Sequence, residues 1–66
     1  MNSAEFQQAR QTLGLPAADL ARMLGVSSER AVQTFSDWAN GRRQIDQGRA
    51  RLLRAYLDGY RPPDWP

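Results

Sequence analysis

The chain predicts a small all-α domain of four, at most five, helices that ends in an extended tail. Three observations predict it. Apolar residues recur at helical spacing in four separate stretches, and each stretch closes at or near a glycine. The prolines fall outside those stretches, at Pro16 and in the tail. A length of 66 residues allows one domain with a small core, assigned to residues 1–59, and a Pro/aromatic tail over residues 60–66.

Asn2 is placed to cap the first helix, and Glu5 completes a capping-box pattern. Phe6, Ala9, Arg10 and Leu13 follow at helical spacing, and Gly14 ends the segment. Pro16 suits the entrance of a second helix, where its missing N–H would be unpaired in any case. Ala17, Leu20, Ala21 and Leu24 form that helix's apolar stripe, and the alanines let a second helix cross closely. Gly25 supplies a turn and Val26 plugs the corner.

Ser27 or Ser28 is the expected N-cap of the third helix. Ala31, Val32, Phe35, Trp38 and Ala39 cluster on one side of its wheel, with Arg30, Gln33, Thr34 and Asp37 opposite. Asn40-Gly41 is a strong stop, Arg42 and Arg43 follow in a loop, and Ile45 returns to the core. Asp46 is the expected cap of a fourth helix with Leu52, Leu53, Tyr56 and Leu57 on its apolar face and Gly59 at its close. Three prolines deny the tail backbone donors, so it is expected extended, with Tyr60 or Trp65 docking on the body or on a second subunit.

Composition narrows the function classes. Without cysteine there is no disulfide framework or thiolate metal site, and without histidine the commonest general base and metal ligand are missing. No acid, base and nucleophile converge in the pattern, so the expectation is not an enzyme, with no cofactor, metal or small-molecule ligand. No apolar run approaches the length of a membrane span, and the N-terminal stretch lacks the basic and apolar regions of a signal peptide. The expected location is the cytoplasm.

Net charge is only +2, but it is unevenly placed. Residues 1–29 hold Arg10 and Arg22 against Glu5, Asp19 and Glu29. Residues 30–61 hold seven arginines against Asp37, Asp46 and Asp58. Every basic residue is arginine, whose fork grips phosphate or guanine with two parallel hydrogen bonds. A GC-rich genome would also give an arginine-only repertoire; it would not give the asymmetry.

Two short helices around a glycine turn, with an arginine pair at the exit of the second, form a device for entering a DNA groove. The pieces Leu13-Gly14-Leu15, Leu20-Ala21-Arg22-Met23-Leu24-Gly25-Val26-Ser27 and Thr34-Phe35-Ser36-Asp37-Trp38-Ala39-Asn40-Gly41 resemble the helix-turn-helix domains of the Cro and lambda-repressor type. Together with the Arg49-to-Leu57 helix, the resemblance covers most of residues 5–58. Three departures stand out. Ala17 occupies the place of a glutamine that usually contacts the DNA backbone. Ala39 replaces an acid that usually pairs with an arginine of the first helix, here Arg10. The Val26-to-Trp38 distance is also longer by about one helical turn, with Ser28-Glu29-Arg30-Ala31 as the extra material.

The resemblance implies a DNA-binding repressor, a homodimer on an inverted repeat of double-stranded DNA, similar to small phage or mobile-element autorepressors of the anti-CRISPR-associated type. It implies base contacts from Arg30, Gln33, Thr34, Ser36 and Asp37, and phosphate contacts from Ser27, Ser28, Arg42 and Arg43. Asp37 is open between accepting from cytosine and holding a neighbouring arginine. Phe35 and Trp38 suit single-strand stacking by type, but their register assigns them to the core. Arg49, Arg51 and Arg54 read equally as an outer phosphate patch or a solvated face. Tyr56, Tyr60 and Trp65 point to helix four and the tail as the dimer contact. The rival reading is a protein-interaction module, an antitoxin or a polymerase-binding adaptor on the same fold.

Overall fold

A computed structural model describes residues 1–66. It is all-helical, with α1 (Ser3–Leu13), α2 (Ala17–Leu24), α3 (Ala31–Asn40) and α4 (Gln47–Leu57). Helices α1 and α2 each pack against both α3 and α4. No helix is long and apolar enough to cross a membrane.

The local signals act where the sequence places them. Asn2 Oδ1 accepts the Glu5 N–H at 2.8 Å while the Glu5 carboxylate accepts the Asn2 N–H at 3.2 Å, closing the capping box. Asp46 caps α4 by accepting the Arg49 N–H at 3.1 Å. Gly25 ends α2 with φ 71°, and its N–H reaches back to the carbonyls of Ala21 and Arg22.

Two expectations are corrected. Neither Ser27 nor Ser28 caps α3: the helix starts at Ala31, with Arg30 at the N-cap position and no side-chain cap. The serine carbonyls instead accept the Arg30 and Ala31 N–H groups, at 3.0 and 3.5 Å. The backbone thus meets the need that a hydroxyl would have met. Ser28, Glu29 and Arg30 form a tight turn, and Ala31 is the first residue of α3.

Val32 is the second correction. The buried stripe of α3 is Ala31, Phe35 and Trp38, spaced by four and three residues. Val32 follows Ala31 by one residue, about 100° round the helix, and lies 74% exposed. Ala39 is half-buried at the edge of the stripe.

The core gathers Phe6 and Ala9 from α1, Leu20, Ala21, Met23 and Leu24 from α2, and Ala31, Phe35 and Trp38 from α3. Ile45 and the α4 residues Ala50, Leu53 and Tyr56 complete it. On α4, Leu52 is only half-buried and Leu57 is exposed, so the inner face is centred one residue from where the leucines alone put it. Every buried side-chain polar atom has a partner.

The tail is not helical and folds back on its own chain. Tyr60 stacks on Tyr56 with ring centroids 5.8 Å apart, and Trp65 meets the same ring edge-on at 4.9 Å. Arg61 lies 4.2 Å over the Trp65 ring and donates to the Tyr56 carbonyl at 2.8 Å. Arg22 of α2 reaches the Asp64 carbonyl at 3.4 Å.

Candidate nucleic-acid interface

Helix α2 must end in a fixed place for α3 to be presented, and α4 holds that end. Three successive carbonyls at the α2 C-terminus receive donors from α4 side chains. The Tyr56 hydroxyl donates to Met23 at 2.9 Å, Arg49 Nε to Leu24 at 3.0 Å and Arg49 Nη2 to Gly25 at 3.3 Å. Such carbonyls have no partner within their own helix, so the cationic fork suits them in both geometry and charge. Arg49 also pairs with Asp46 at 3.0 Å. The Arg49 backbone N–H, followed by its guanidinium, holds the Asp46 carboxyl below its ordinary 3.8. Burial, followed by the charges of Tyr60 and Asp64, holds the Tyr56 phenol above its ordinary 10.0 and so in its donating form.

The inner face of α3 is aromatic. Phe6, Phe35 and Trp38 form a triangle with ring centroids 5.3 to 5.9 Å apart. Phe35 and Trp38 are 1% and 6% exposed, which rules them out as a stacking platform in this conformation. Arg10 lies 5.2 Å from the Phe35 ring and 5.9 Å from that of Phe6. Arg10 has no acidic partner, and the two ring faces are the negative surface its guanidinium meets. The Gln7 amide donates to the Ala39 carbonyl, tying α1 to the far end of α3.

The outer face carries the residues singled out in the sequence, and the structure sorts them into two groups. Ser27, Arg30, Thr34 and Arg43 line one shallow groove, joined by Gln44 and, at its wall, by the paired Arg49 and Asp46. Neither Arg30 nor Arg43 has an acidic partner. The second group is a chain of side chains: Gln33 Nε2 donates to Asp37 Oδ1 at 2.9 Å, and Arg42 Nη1 lies 4.0 Å from the same oxygen. Ser28 and Ser36 join neither group and are exposed. Of the two uses open to Asp37, the structure contains the one in which it faces an arginine, Arg42.

The three arginines of α4 separate. Arg49 is committed to the end of α2 and to Asp46, which removes it from any outer patch. Arg54 stands 3.7 Å from Glu5, half-exposed. Arg51 is exposed and has no acidic partner.

Two residues of this surface escaped the sequence reading. Val32 was hidden by its hydrophobicity, although the four-then-three spacing of Ala31, Phe35 and Trp38 already leaves it off the stripe. Gln44 lies in the α3–α4 loop, and no pattern marks a lone loop glutamine. Chemically, the surface offers unpaired guanidinium and hydroxyl groups in the groove. Beside it lies an exposed amide on a helix wide enough only for a major groove.

Comparison of the chain with known protein families, curated proteins and solved structures found no match.

Proposed function

We propose that this chain is a sequence-specific DNA-binding regulator of the helix-turn-helix kind, with α3 in the major groove. One observation carries the reading. The face of α3 opposite Phe35 and Trp38 is covered by no other element, and Arg30 and Arg43 stand beside it without acidic partners. Arg42, 70% exposed, keeps only a 4.0 Å approach to Asp37. A solvated face could be built from any polar residues; this one places phosphate-gripping forks on the flanks of an amide.

In this reading Gln33 reads adenine through its amide, and Arg30 reads guanine or an adjacent phosphate. Val32, Thr34 and Ser36 meet thymine methyl groups or the backbone. Arg42 and Arg43, with Ser27 and Ser28, contact phosphates and fix the register. One helix of 10 residues offers few base contacts. Two copies across a two-fold axis double them and require half-sites about 10 base pairs apart or a multiple of that. A homodimeric repressor acting on its own promoter is the regulatory form proposed, of the kind that small phage and mobile-element regulators take.

Selection of bound duplexes from a random DNA pool tests this. An inverted repeat is the expected product, and a promoter fusion carrying it should be silenced by the protein. A pool that emerges without a preferred sequence would overturn the reading and favour a protein-interaction module on the same fold.

A further inference from the structure

We infer that Asp37 is a positioning residue that sets the orientation of the Gln33 amide for adenine, an inference that rests on the DNA-binding reading above. The two side chains lie four residues apart on α3 and meet at 2.9 Å. The Gln33 residue is exposed, whereas the Asp37 side chain is only 13% exposed. A mobile surface amide is therefore tied to a well-held carboxylate.

The chemistry of the pair fixes which way the amide points. An ionised carboxylate only accepts, so the nitrogen of Gln33 must face Asp37 and the oxygen must face away. One N–H is taken by Asp37; the second N–H and the carbonyl remain free. Adenine presents an acceptor at N7 beside a donor at N6, and needs that donor–acceptor couple on one amide. The flipped amide would aim its carbonyl at the carboxylate, an acceptor against an acceptor. Asp37 thus removes the wrong orientation before DNA arrives and lowers the entropy lost when the side chain is fixed on a base.

An acid beside a polyanion also needs a reason to be tolerated. Arg42 Nη1, 4.0 Å from the same Oδ1, supplies it by offsetting the negative charge on the DNA-facing side. The three residues form a line in which Arg42 screens, Asp37 orients and Gln33 reads. A residue kept only for solubility on this face would repel phosphate and leave base choice unchanged.

Two measurements on the full chain test the inference, with Asp37→Ala, Asp37→Asn and Gln33→Ala as variants. The first is the order of the Gln33 side-chain amide by nitrogen relaxation in the protein without DNA. It should be high in the parent chain and in Asp37→Asn, whose Oδ1 still accepts, and low in Asp37→Ala. The second is affinity for the selected site and for the same site with the Gln33-dependent A·T pair exchanged for G·C. The parent chain should prefer A·T by about tenfold or more, as a bidentate contact gives. Asp37→Ala should lose most of that ratio, Asp37→Asn should lose part of it because its amide can pair with either end of the Gln33 amide, and Asp37→Ala should change nothing further once Gln33 is alanine.

Equal amide mobility in the parent chain and Asp37→Ala would overturn the inference. So would a uniform tightening on every duplex with the A·T preference intact, which would make Asp37 a repulsive charge only. If selection yields no site, the DNA-binding reading fails, while the amide measurement still decides whether Asp37 holds Gln33.

Discussion

Arg49 of α4 donates from Nε to the carbonyl of Leu24, the last residue of α2, at 3.0 Å, and from Nη2 to the next carbonyl, Gly25, at 3.3 Å. An arginine that the sequence leaves between a phosphate patch and a solvated face is therefore the clasp that holds the C-terminal end of α2 to α4. Arg49→Ala should lower stability by about 1.5–3 kcal/mol, the range for hydrogen bonds to a charged donor. Arg49→Lys should recover little of it, because one ammonium cannot span both carbonyls. Thermal unfolding of the three chains checks this.

Acid sensitivity follows from the partner of Arg49. The Asp46 carboxyl is held below its ordinary 3.8, so its contribution is fully present above that value. It is lost as pH falls through the depressed folded value. Asp46→Asn should flatten the acid limb of the stability–pH curve, while leaving the cap partly formed because asparagine also caps. Denaturant midpoints between neutral and strongly acid pH give the comparison.

Val32 and Phe35 lie on one helix and should respond oppositely. Phe35→Ala empties a site that is 1% exposed and should cost about 3–5 kcal/mol, enough to unfold much of so small a domain. Val32→Ala, at 74% exposure, should move stability by no more than about 0.5 kcal/mol. If Val32 meets a thymine methyl, deoxyuridine at that position should weaken the parent chain and leave Val32→Ala unaffected.

The tail should behave as part of the body. Trp65→Ala removes an edge-on contact to Tyr56 and the ring under Arg61, together worth about 1–2 kcal/mol. The near-ultraviolet circular dichroism of Tyr56 and Tyr60 should change with it. A spectrum and unfolding midpoint equal to those of the parent chain would contradict the docked tail.

Much of the fold is legible in the sequence because its signals are local. Asn2 with Glu5, Gly14, Gly25, Gly41 and Asp46 each act within four residues of where they stand. The failures differ in cause. Whether Ser27 caps α3 turns on competing backbone bonds and what Arg49 grips on neighbours distant in sequence, whereas the exposure of Val32 follows from the local spacing and is masked only by its hydrophobicity. At the candidate site, the identity of Gln33, Asp37 and Arg42 was readable, but their connection was not. An i,i+4 glutamine–aspartate bond is one of several rotamer choices that residue spacing alone leaves open.

The central claim is that α3 reads DNA while the arginines around it hold the backbone. The most direct measurement is affinity for the selected duplex as salt rises, made on the parent chain, Arg43→Ala and Gln33→Ala. The account predicts a log-linear fall with salt, a slope smaller by about one for Arg43→Ala, and an unchanged slope with lost base preference for Gln33→Ala. Salt-independent binding, a slope that Arg43→Ala leaves unchanged, or a base preference that survives Gln33→Ala would contradict it.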